Sequence, residues 1–335
     1  MIYGSVCSGI EAASVVWHPL GWEAAFVSEI DKFPRAVLAH HYPEVPLHGD
    51  FTTIQDGDYR PIDLLVGGTP CQSFSIAGLR GGLDDDRGNL SLEFLRLAQR
   101  LRPRWVVWEN VPGVLSSNGG RDFGSILAGL GEVGYGFAYR VLDAQYFGLA
   151  QRRKRVFVVG YLGDWRRAAA VLFERESLSG NPAPRRETRE GIAGGFEAGV
   201  DGCHCADIAP TINAAFGEKQ GLDNQHIDGG AGLFVSAIAF GAQNSSHQSS
   251  GVSLDFCPTL DKSKTPGVLT ASAVRRLTPT ECERLQGFPD GYTDIPWRGN
   301  TNAPDGPRYK ALGNSMAVPV MRWIGERIQI VDNLP

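Results

Sequence analysis

The chain has 335 residues, of which 42% are hydrophobic and 21% charged, and its formal net charge is -5. This length and apolar content can bury a sizeable core and predict a soluble globular protein of two lobes. The six cysteines are scattered along the chain, which favours reduced thiols in a cytoplasm over a disulfide framework. No apolar run approaches the ~20 residues that cross a bilayer, so we expect neither secretion nor membrane insertion.

The first half of the chain alternates between strand and helix patterns. This alternation predicts an α/β domain with a mostly parallel, doubly wound sheet. The predicted strands are Ile2–Val6, Ala24–Ser28, Leu64–Val66, Trp105–Trp108 and Val156–Tyr161, and a helix is predicted over Leu92–Leu101. Between Ser177 and Val274 the periodic apolar pattern nearly disappears, which indicates a region of loops and short strands, and a helix follows over Val318–Ile330.

One cysteine stands in a turn that suits a reactive thiol. Cys71 follows Pro70 and a Gly-rich stretch, directly after the apolar run that ends at Val66. Such a turn places its thiol at the carboxyl edge of a parallel sheet, where open α/β folds bind ligands. An isolated cysteine is more often a small buried hydrophobe. The turn alone therefore leaves both interpretations open.

Two further features suit a bound small molecule and a nucleic acid. The turn after the first strand contains Ser8 and Gly9 and exposes backbone N–H groups, and Glu29 ends the second strand about twenty residues later, where an acidic side chain accepts hydrogen bonds from a ribose. Basic clusters at Arg152–Arg155 and Arg275–Arg276 could bind phosphates despite the negative net charge. The spacing of Cys203-His204-Cys205 does not match zinc ligands, so no metal site is expected.

Six motifs occur in one order and together resemble the cytosine-C5 DNA methyltransferases, a Dcm-like family, and most closely a subgroup common in phages and prophages. The resemblance covers residues 1–160 and 273–325. The motifs are Val6–Ala13, Gly68–Ser75, Trp108–Val111, Gln151–Arg155, Arg276–Pro289 and Lys310–Pro319. The family usually has Phe-x-Gly-x-Gly in the first motif, where this chain has Cys7 and Glu11.

The resemblance implies a Rossmann-like domain that depends on S-adenosylmethionine, with a smaller, loop- and strand-rich target-recognition domain. The implied boundaries are 1–165 for the catalytic domain, 166–300 for target recognition and 301–335 for a segment that returns to the first domain. In the late motif, Thr278 is predicted to cap a helix, with Pro279 at its first position and Glu281 three residues on. The last helix is expected to pack beside the first strand.

The implied reaction transfers a methyl group from S-adenosylmethionine to C5 of a cytosine that is flipped out of duplex DNA. C5 of cytosine is not nucleophilic until a thiolate adds at C6, so Cys71 would form a covalent adduct. Glu109 would hydrogen-bond or protonate N3, which requires a raised carboxyl pKa. Arg155 is the predicted base contact, and Arg153 is either a second ligand or a structural side chain.

The resemblance also assigns binding residues. The implied cofactor contacts are Ser8, Gly9, Ile10, Glu29, Ile30, Asp50, Phe51, Pro70, Leu90, Asn314 and Met316. The implied DNA contacts are Ser75, Arg87, Gln151, Thr259 and Leu260, and the Gly- and Asp-rich segment between Cys71 and Leu92 would close over the DNA.

Three alternatives stay open. The first is a DNA-binding protein with an inactive methyltransferase fold, although Cys71, Glu109 and Arg155 are all present. The others keep the chemistry but act on RNA, or transfer a larger group from a modified sulfonium donor, which Glu11 near the donor turn makes worth naming. A monomer is expected because one chain carries the whole site, and a cognate restriction endonuclease is a candidate partner.

Overall fold

A computed structural model of the chain describes residues 1–70, 89–174 and 277–334, and the backbone of two short strands at 268–270 and 273–275. Cys71, Ser75, Arg87, Thr259 and Leu260 lie outside the described residues. The described part forms two compact units. The first holds residues 1–143, 154–174 and 315–334, and the second holds residues 144–153, the two short strands at 268–270 and 273–275, and residues 277–314.

The first unit is built on a seven-stranded sheet. Its strands are β1 (Ile2–Val6), β2 (Glu23–Ser28), β3 (Leu47–His48), β4 (Leu64–Gly67), β5 (Trp105–Asn110), β6 (Tyr135–Asp143) and β7 (Lys154–Leu162). Their order across the sheet is β3-β2-β1-β4-β5-β7-β6. Neighbouring strands from β3 to β5 are parallel, whereas β7 is antiparallel to β5 and β6. The predicted α/β sheet is therefore confirmed.

The central strands are the ones that the sequence predicted. Every residue of β4 is buried, and Trp105 and Trp108 of β5 are almost completely inaccessible. Parallel strands covered on both faces read as continuous apolar runs, which is why the sequence reveals them. The sequence did not predict β3, which has two residues, or β6, an edge strand on which Tyr139 and Val141 are 45% and 42% exposed.

Helices cover the sheet of the first unit. They are α1 (Ala12–Trp17), α2 (Lys32–His41), α3 (Leu90–Leu101), α4 (Arg121–Val133), α5 (Trp165–Leu172) and, from the end of the chain, α8 (Val318–Asp332). Helix α3 begins two residues before its predicted start, because the Asn89 side chain accepts a hydrogen bond from Ser91 N and caps it. In the described part of the chain, no helix has the length and apolarity to cross a membrane.

Helix α8 packs against α1 rather than directly beside β1. The indole N–H of Trp17 donates to Met321 O at 2.9 Å, and that of Trp22 donates to Gln329 Oε1 at 2.6 Å. The Trp17 ring also meets the edge of Tyr3 on β1, with 5.1 Å between ring centroids. The predicted contact with the first strand is thus made through Trp17.

The second unit contains α6 (Pro279–Gln286), α7 (Asp305–Asn314) and, as a separate two-stranded ribbon, β8 (Val268–Thr270) and β9 (Ala273–Arg275). Thr278 caps α6: its side chain accepts from Glu281 N, and the Glu281 carboxylate accepts from Thr278 N. The predicted capping box is confirmed. Within α6, the buried Glu283 carboxylate accepts from Thr293 N at 2.8 Å and from Arg308 Nη2 at 3.2 Å, which holds the loop that follows the helix.

The contact between α1 and α8 can be tested at Gly325. A Cβ atom at this position would lie 2.6 Å from Trp17 Cδ1, and the indole is fixed by its bond to Met321. We expect Gly325→Ala to lower the free energy of unfolding by about 1–3 kcal/mol, because an overpacked helix contact must shift. Urea denaturation followed by circular dichroism measures this change.

Gly124→Ala is the matched control. Gly124 is an exposed residue of α4, and no described atom lies within 4 Å of the place that its Cβ would take. Since alanine is the better helix former, this variant should be unchanged or up to about 1 kcal/mol more stable. Equal stability of the two variants would contradict the proposed overlap with Trp17.

Candidate active site at the carboxyl edge of the sheet

The carboxyl ends of β1 to β5 meet at one edge of the sheet, where open α/β folds bind ligands. Because β7 is antiparallel to β5, the amino end of β7 lies at the same edge. This arrangement brings Arg155, near the start of β7, next to Glu109, near the end of β5. Residues 46 positions apart thus form one site.

Glu109 and Arg155 form an ion pair, with 3.0 Å between Arg155 Nε and Glu109 Oε1. Their side chains are only 12% and 13% exposed. Burial lowers the pKa of Arg155, and the charge and hydrogen bond of Glu109 oppose that change. Removing either partner would break this buried ion pair, which is generally destabilising.

The second carboxylate oxygen of Glu109 faces the turn that follows β4. A Cβ atom at Gly68 would lie 2.9 Å from Glu109 Oε2 and 3.0 Å from Met316 Cε. The carboxylate of Glu109 and the thioether of Met316 therefore both lie against the position that a side chain at Gly68 would take, and such a side chain would displace one of them. Gly68, Glu109 and Met316 meet here although they are far apart in sequence.

Thr69 and Asn110 hold this turn, a role that was not predicted from the sequence. Trp108 Nε1 donates to Thr69 Oγ1 at 2.8 Å, and Asn110 Nδ2 donates to Thr69 O at 3.0 Å. Thr69 and Asn110 are both buried. Their adjacency to Pro70 and Glu109 within the motifs was the available signal, but only the register of β4 and β5 shows that they bond to each other.

The turn after β1 is tied to the end of β2. Ser8 N donates to Ser28 O at 3.0 Å, and Gly9 N donates to Glu29 Oε2 at 2.9 Å. The other oxygen, Glu29 Oε1, accepts from the N–H groups of Ile30 and Asp31, each at 2.8 Å. The Glu29 carboxylate is therefore held in one orientation beside the turn.

The ends of β2 and β3 are joined by one arginine. Arg35 Nη1 donates to Glu29 O and to His48 O, both at 2.7 Å. The exposed Asp50 follows β3 and accepts from Thr52 N through Oδ1 at 3.0 Å. Ile30, whose side chain is 72% exposed, follows Glu29. Two carboxylates and an exposed apolar side chain thus lie along the edge formed by β2 and β3.

Some predicted contacts fall in the interior. Ile10 and Phe51 are 0% and 4% exposed as whole residues, so they offer a ligand almost no accessible surface. Leu90, the first residue of α3, packs against the hydrophobic core. For Ile10 and Phe51, the structure therefore does not provide the side-chain contacts that the resemblance implied.

Three predicted residues belong to the second unit. Arg153 is 2% exposed, and its Nη2 donates to Gly313 O at 3.0 Å, which favours the structural interpretation of this arginine. Gln151 is also fully buried, so its predicted DNA contact requires the side chain to become accessible. Asn314 is the exposed last residue of α7.

Glu11, the departure from the family pattern, is buried. Its backbone is left-handed, with φ at 64°, a conformation that glycine normally provides, and its side chain is 1% exposed. The carboxylate caps α1 by accepting from Ser14 N at 3.3 Å, and it accepts from Ser5 Oγ at 2.8 Å. Burial raises the pKa of Glu11 to about 7, although the hydrogen bonds from Ser5, Ser14 and Ser8 lower it.

The sheet and its covering helices form a Rossmann-like methyltransferase fold, with carboxylates along one sheet edge and a buried Glu–Arg pair. The chain belongs to the C-5 cytosine-specific DNA methylase family, whose model matches residues 1–330. Family membership and the class of enzyme predicted from the six motifs are therefore confirmed.

Relatives and solved structures are similar to this chain over nearly all of its length. A protein of Escherichia phage P1 named DNA N-6-adenine-methyltransferase is 39% identical over 98% of the chain, but the chain spans only 61% of that protein. Type II methyltransferase M1.ScrFI of Lactococcus lactis is 32% identical over 91% of the chain and 72% of its own length. A mutant of DNMT2 from Spodoptera frugiperda shares the fold, with a TM-score of 0.58, 18% identity and 99% of each chain covered.

The buried Glu11 makes stability depend on pH. The carboxyl has an ordinary pKa of 4.5 and a raised one of about 7 in the folded protein. Between these values the folded state holds a proton that the unfolded state has lost, so this stabilising contribution is complete below 4.5 and disappears as the pH rises through about 7. Glu11→Gln cannot ionise, so its stability relative to the native protein should increase from about pH 5 to pH 8.

Urea denaturation at several pH values measures this difference. Glu132→Gln, which changes an exposed residue of α4, serves as the control and should show no such trend. A difference between Glu11→Gln and the native protein that is the same at all pH values would show that Glu11 does not titrate in this range.

Proposed function

We propose that this protein transfers a methyl group from S-adenosylmethionine to C5 of a cytosine in duplex DNA. The observation that carries the proposal is the buried Glu109–Arg155 pair, because it directs Glu109 Oε2 at the glycine turn that leads to Cys71. Membership of the C-5 cytosine-specific DNA methylase family supports the same chemistry.

The edge along β1, β2 and β3 suits the proposed cofactor. Glu29 and Asp50 offer carboxylate oxygens for the ribose hydroxyls and the adenine amino group, and the exposed Ile30 offers an apolar surface for the adenine ring. The close approach of Glu109 and Met316 to Gly68 forms a cradle that a Cβ atom would fill. When bound, S-adenosylmethionine supplies an electrophilic methyl group on a sulfonium.

Cys71 is the proposed nucleophile. Its thiolate forms a bond to C6 of the cytosine, and the electron pair of the C5–C6 double bond shifts toward N3. Glu109 hydrogen-bonds N3 or gives it a proton, which compensates the developing negative charge. C5 then has the reactivity of an enamine and can take the methyl group.

Arg155 is proposed to position Glu109 and to contact the base. Its Nε is paired with Glu109 Oε1, while Oε2 lies on the side of Gly68, where the base would meet the nucleophile. After methyl transfer, water acts as the base that takes the proton from C5, and the C5–H electron pair re-forms the C5–C6 double bond. The Cys71–C6 bond breaks, its electron pair returns to sulfur, and N3 returns to Glu109 any proton that it received. The thiolate is regenerated, so no redox partner is needed.

The remaining assignments are proposals from the family resemblance. Residues 166–300 would read the DNA sequence, with Thr259 and Leu260 near their end, while Ser75 and Arg87 would contact the phosphate backbone. We propose that the enzyme acts as a monomer in the cytoplasm. A restriction endonuclease with the same target is a candidate partner, since the Lactococcus relative is named a type II methyltransferase.

One competing function comes from the name of the phage P1 relative, which refers to adenine N6. An exocyclic amine carries its own lone pair and needs no thiolate to activate it, whereas cytosine C5 does. The presence of Cys71 in the sequence directly after the glycine turn that meets the buried Glu–Arg pair therefore favours cytosine. Part of the phage protein also lies outside the match, because the chain spans 61% of it.

Analysis of product nucleosides tests the proposed reaction. Purified protein is incubated with duplex DNA and S-adenosylmethionine, and the digested DNA is examined by mass spectrometry. We expect 5-methylcytosine with a mass gain of one methyl group, whereas N6-methyladenine or a heavier cytosine adduct would replace the proposal with one of its rivals. Parallel incubation with RNA distinguishes the substrate.

Cys71→Ser tests the covalent step. The hydroxyl is a far weaker nucleophile than a thiolate, so methylation should be lost while S-adenosylmethionine still binds. Cys282→Ala, which removes a buried thiol of α6 in the second unit, is the matched control and should retain methylation. Methylation that survives in Cys71→Ser would exclude the proposed mechanism.

Glu109→Gln tests the role of the carboxyl group. The amide oxygen can still accept from Arg155 Nε, but the side chain can no longer deliver a proton to N3. We expect kcat to fall by about 10²–10⁴-fold while the Kd for S-adenosylmethionine changes little. Single-turnover kinetics and calorimetry measure the two quantities, and an unchanged kcat would remove Glu109 from the reaction.

A further inference from the structure

We propose that Glu11 is a positioning residue that controls cofactor affinity by deciding where the Ser8 hydroxyl points. In this inference, which rests on the proposed use of S-adenosylmethionine, a neutral Glu11 frees the Ser8 hydroxyl to donate to the carboxylate of the cofactor. A charged Glu11 keeps that hydroxyl turned inward.

A series of hydrogen bonds links Glu11 to Ser8, in the turn after β1 where the methyl donor is proposed to bind. Ser28 N donates to Ser8 Oγ at 3.1 Å, Ser8 Oγ donates to Ser5 Oγ at 3.0 Å, and Ser5 Oγ donates to Glu11 Oε2 at 2.8 Å. Both ends of the chain have a fixed direction, because a backbone N–H only donates and a carboxylate only accepts. When Glu11 is charged, the Ser5 hydroxyl therefore donates to Glu11 and the Ser8 hydroxyl donates to Ser5, both pointing into the protein.

Protonation of Glu11 reverses the middle of this chain. The carboxyl O–H then donates to Ser5 Oγ, and the Ser5 hydroxyl donates to Ser8 Oγ, which still accepts from Ser28 N. Ser8 Oγ thus accepts two hydrogen bonds. Its own hydrogen then has no acceptor among Ser28, Ser5 and Glu11. It can be donated to an anionic group at the turn.

The turn has room for such a group. Gly9 has a φ of 56°, and apart from Ser8 and Ile10 beside it, no described residue lies within 4 Å of the place that its Cβ would occupy. Its N–H is taken by Glu29, so the backbone of the turn offers one donor fewer to a ligand. A hydroxyl from Ser8 would supply a replacement, and a neutral Glu11 would not repel the cofactor carboxylate.

Among the titratable groups around Glu11, we expect Glu11 itself to be the one that changes charge in the tested pH range. Tyr3 on β1 faces it, and the Tyr3 hydroxyl is bonded to Ser14 Oγ of α1 at 2.6 Å. Glu29, at the end of β2, is held by three backbone N–H groups. Burial raises the pKa of the Cys7 thiol in the turn to about 12, and raises that of Glu11 to about 7.

The experiment measures the Kd for S-adenosylmethionine by calorimetry between about pH 6 and pH 8.5, without DNA. For the native protein, Kd should rise severalfold over this range, up to a limit of tenfold per pH unit above the pKa. In Glu11→Gln, the amide N–H donates to Ser5 Oγ as the neutral acid would. This variant should keep the low-pH affinity and lose the contribution of Glu11 to the slope.

Two comparisons make the result specific. The α-amino group of the cofactor itself titrates near pH 8, by analogy with the ordinary pKa of about 7.7–8.0, but its effect appears equally in both proteins, so the difference between their profiles is the measured quantity. Ser8→Ala lacks the hydroxyl and should bind weakly throughout, with a profile parallel to that of Glu11→Gln. Circular dichroism verifies that each variant is folded.

Parallel profiles for the native protein and Glu11→Gln would overturn the inference, as would Ser8→Ala that retains the native difference. Neither result would affect the proposed methylation, because tight binding and 5-methylcytosine formation would remain. The absence of S-adenosylmethionine binding at every pH would instead overturn the proposed function together with this inference.

Discussion

The antiparallel position of β7 is the constraint on which the active site depends. In a fully parallel sheet, Arg155 would lie at the opposite edge from Glu109. The reversed strand instead puts a guanidinium beside the carboxylate, and their near-complete burial makes the pair costly to separate. The other oxygen, Oε2, lies on the side of Gly68. The direction of one strand therefore decides that the Glu109 carboxylate is paired with an arginine.

The edge formed by β1, β2 and β3, where we propose that the cofactor binds, is built differently, from backbone groups and buried polar side chains. Glu29 is oriented by backbone N–H groups, and Arg35 joins the carbonyl ends of β2 and β3. The serines near Glu11 extend this polar network inward beneath the donor turn. Catalytic and donor regions are thus stabilised by separate interactions, so a change in one region need not alter the other.

Sequence alone predicted the fold class, the central strands and the capping box at Thr278, because each has a local signature. Continuous apolar runs reveal buried strands, and the spacing of Thr278, Pro279 and Glu281 is itself the capping motif. It could not predict the partners of Glu109, nor the bonds from Trp108 and Asn110 to Thr69, because these depend on strand order and register. The burial of Glu11 was equally invisible, since a glutamate in a turn is normally exposed.

The contact between α1 and α8 has a consequence for how the chain folds during synthesis. Trp17 donates to the carbonyl of Met321, 304 residues later in the chain. The ribosome must therefore add about 300 further residues before the first helix can cover its buried face. Such distant contacts slow folding and leave early apolar surface open to chaperones, so the first strands of the sheet unit wait for a helix that is made much later.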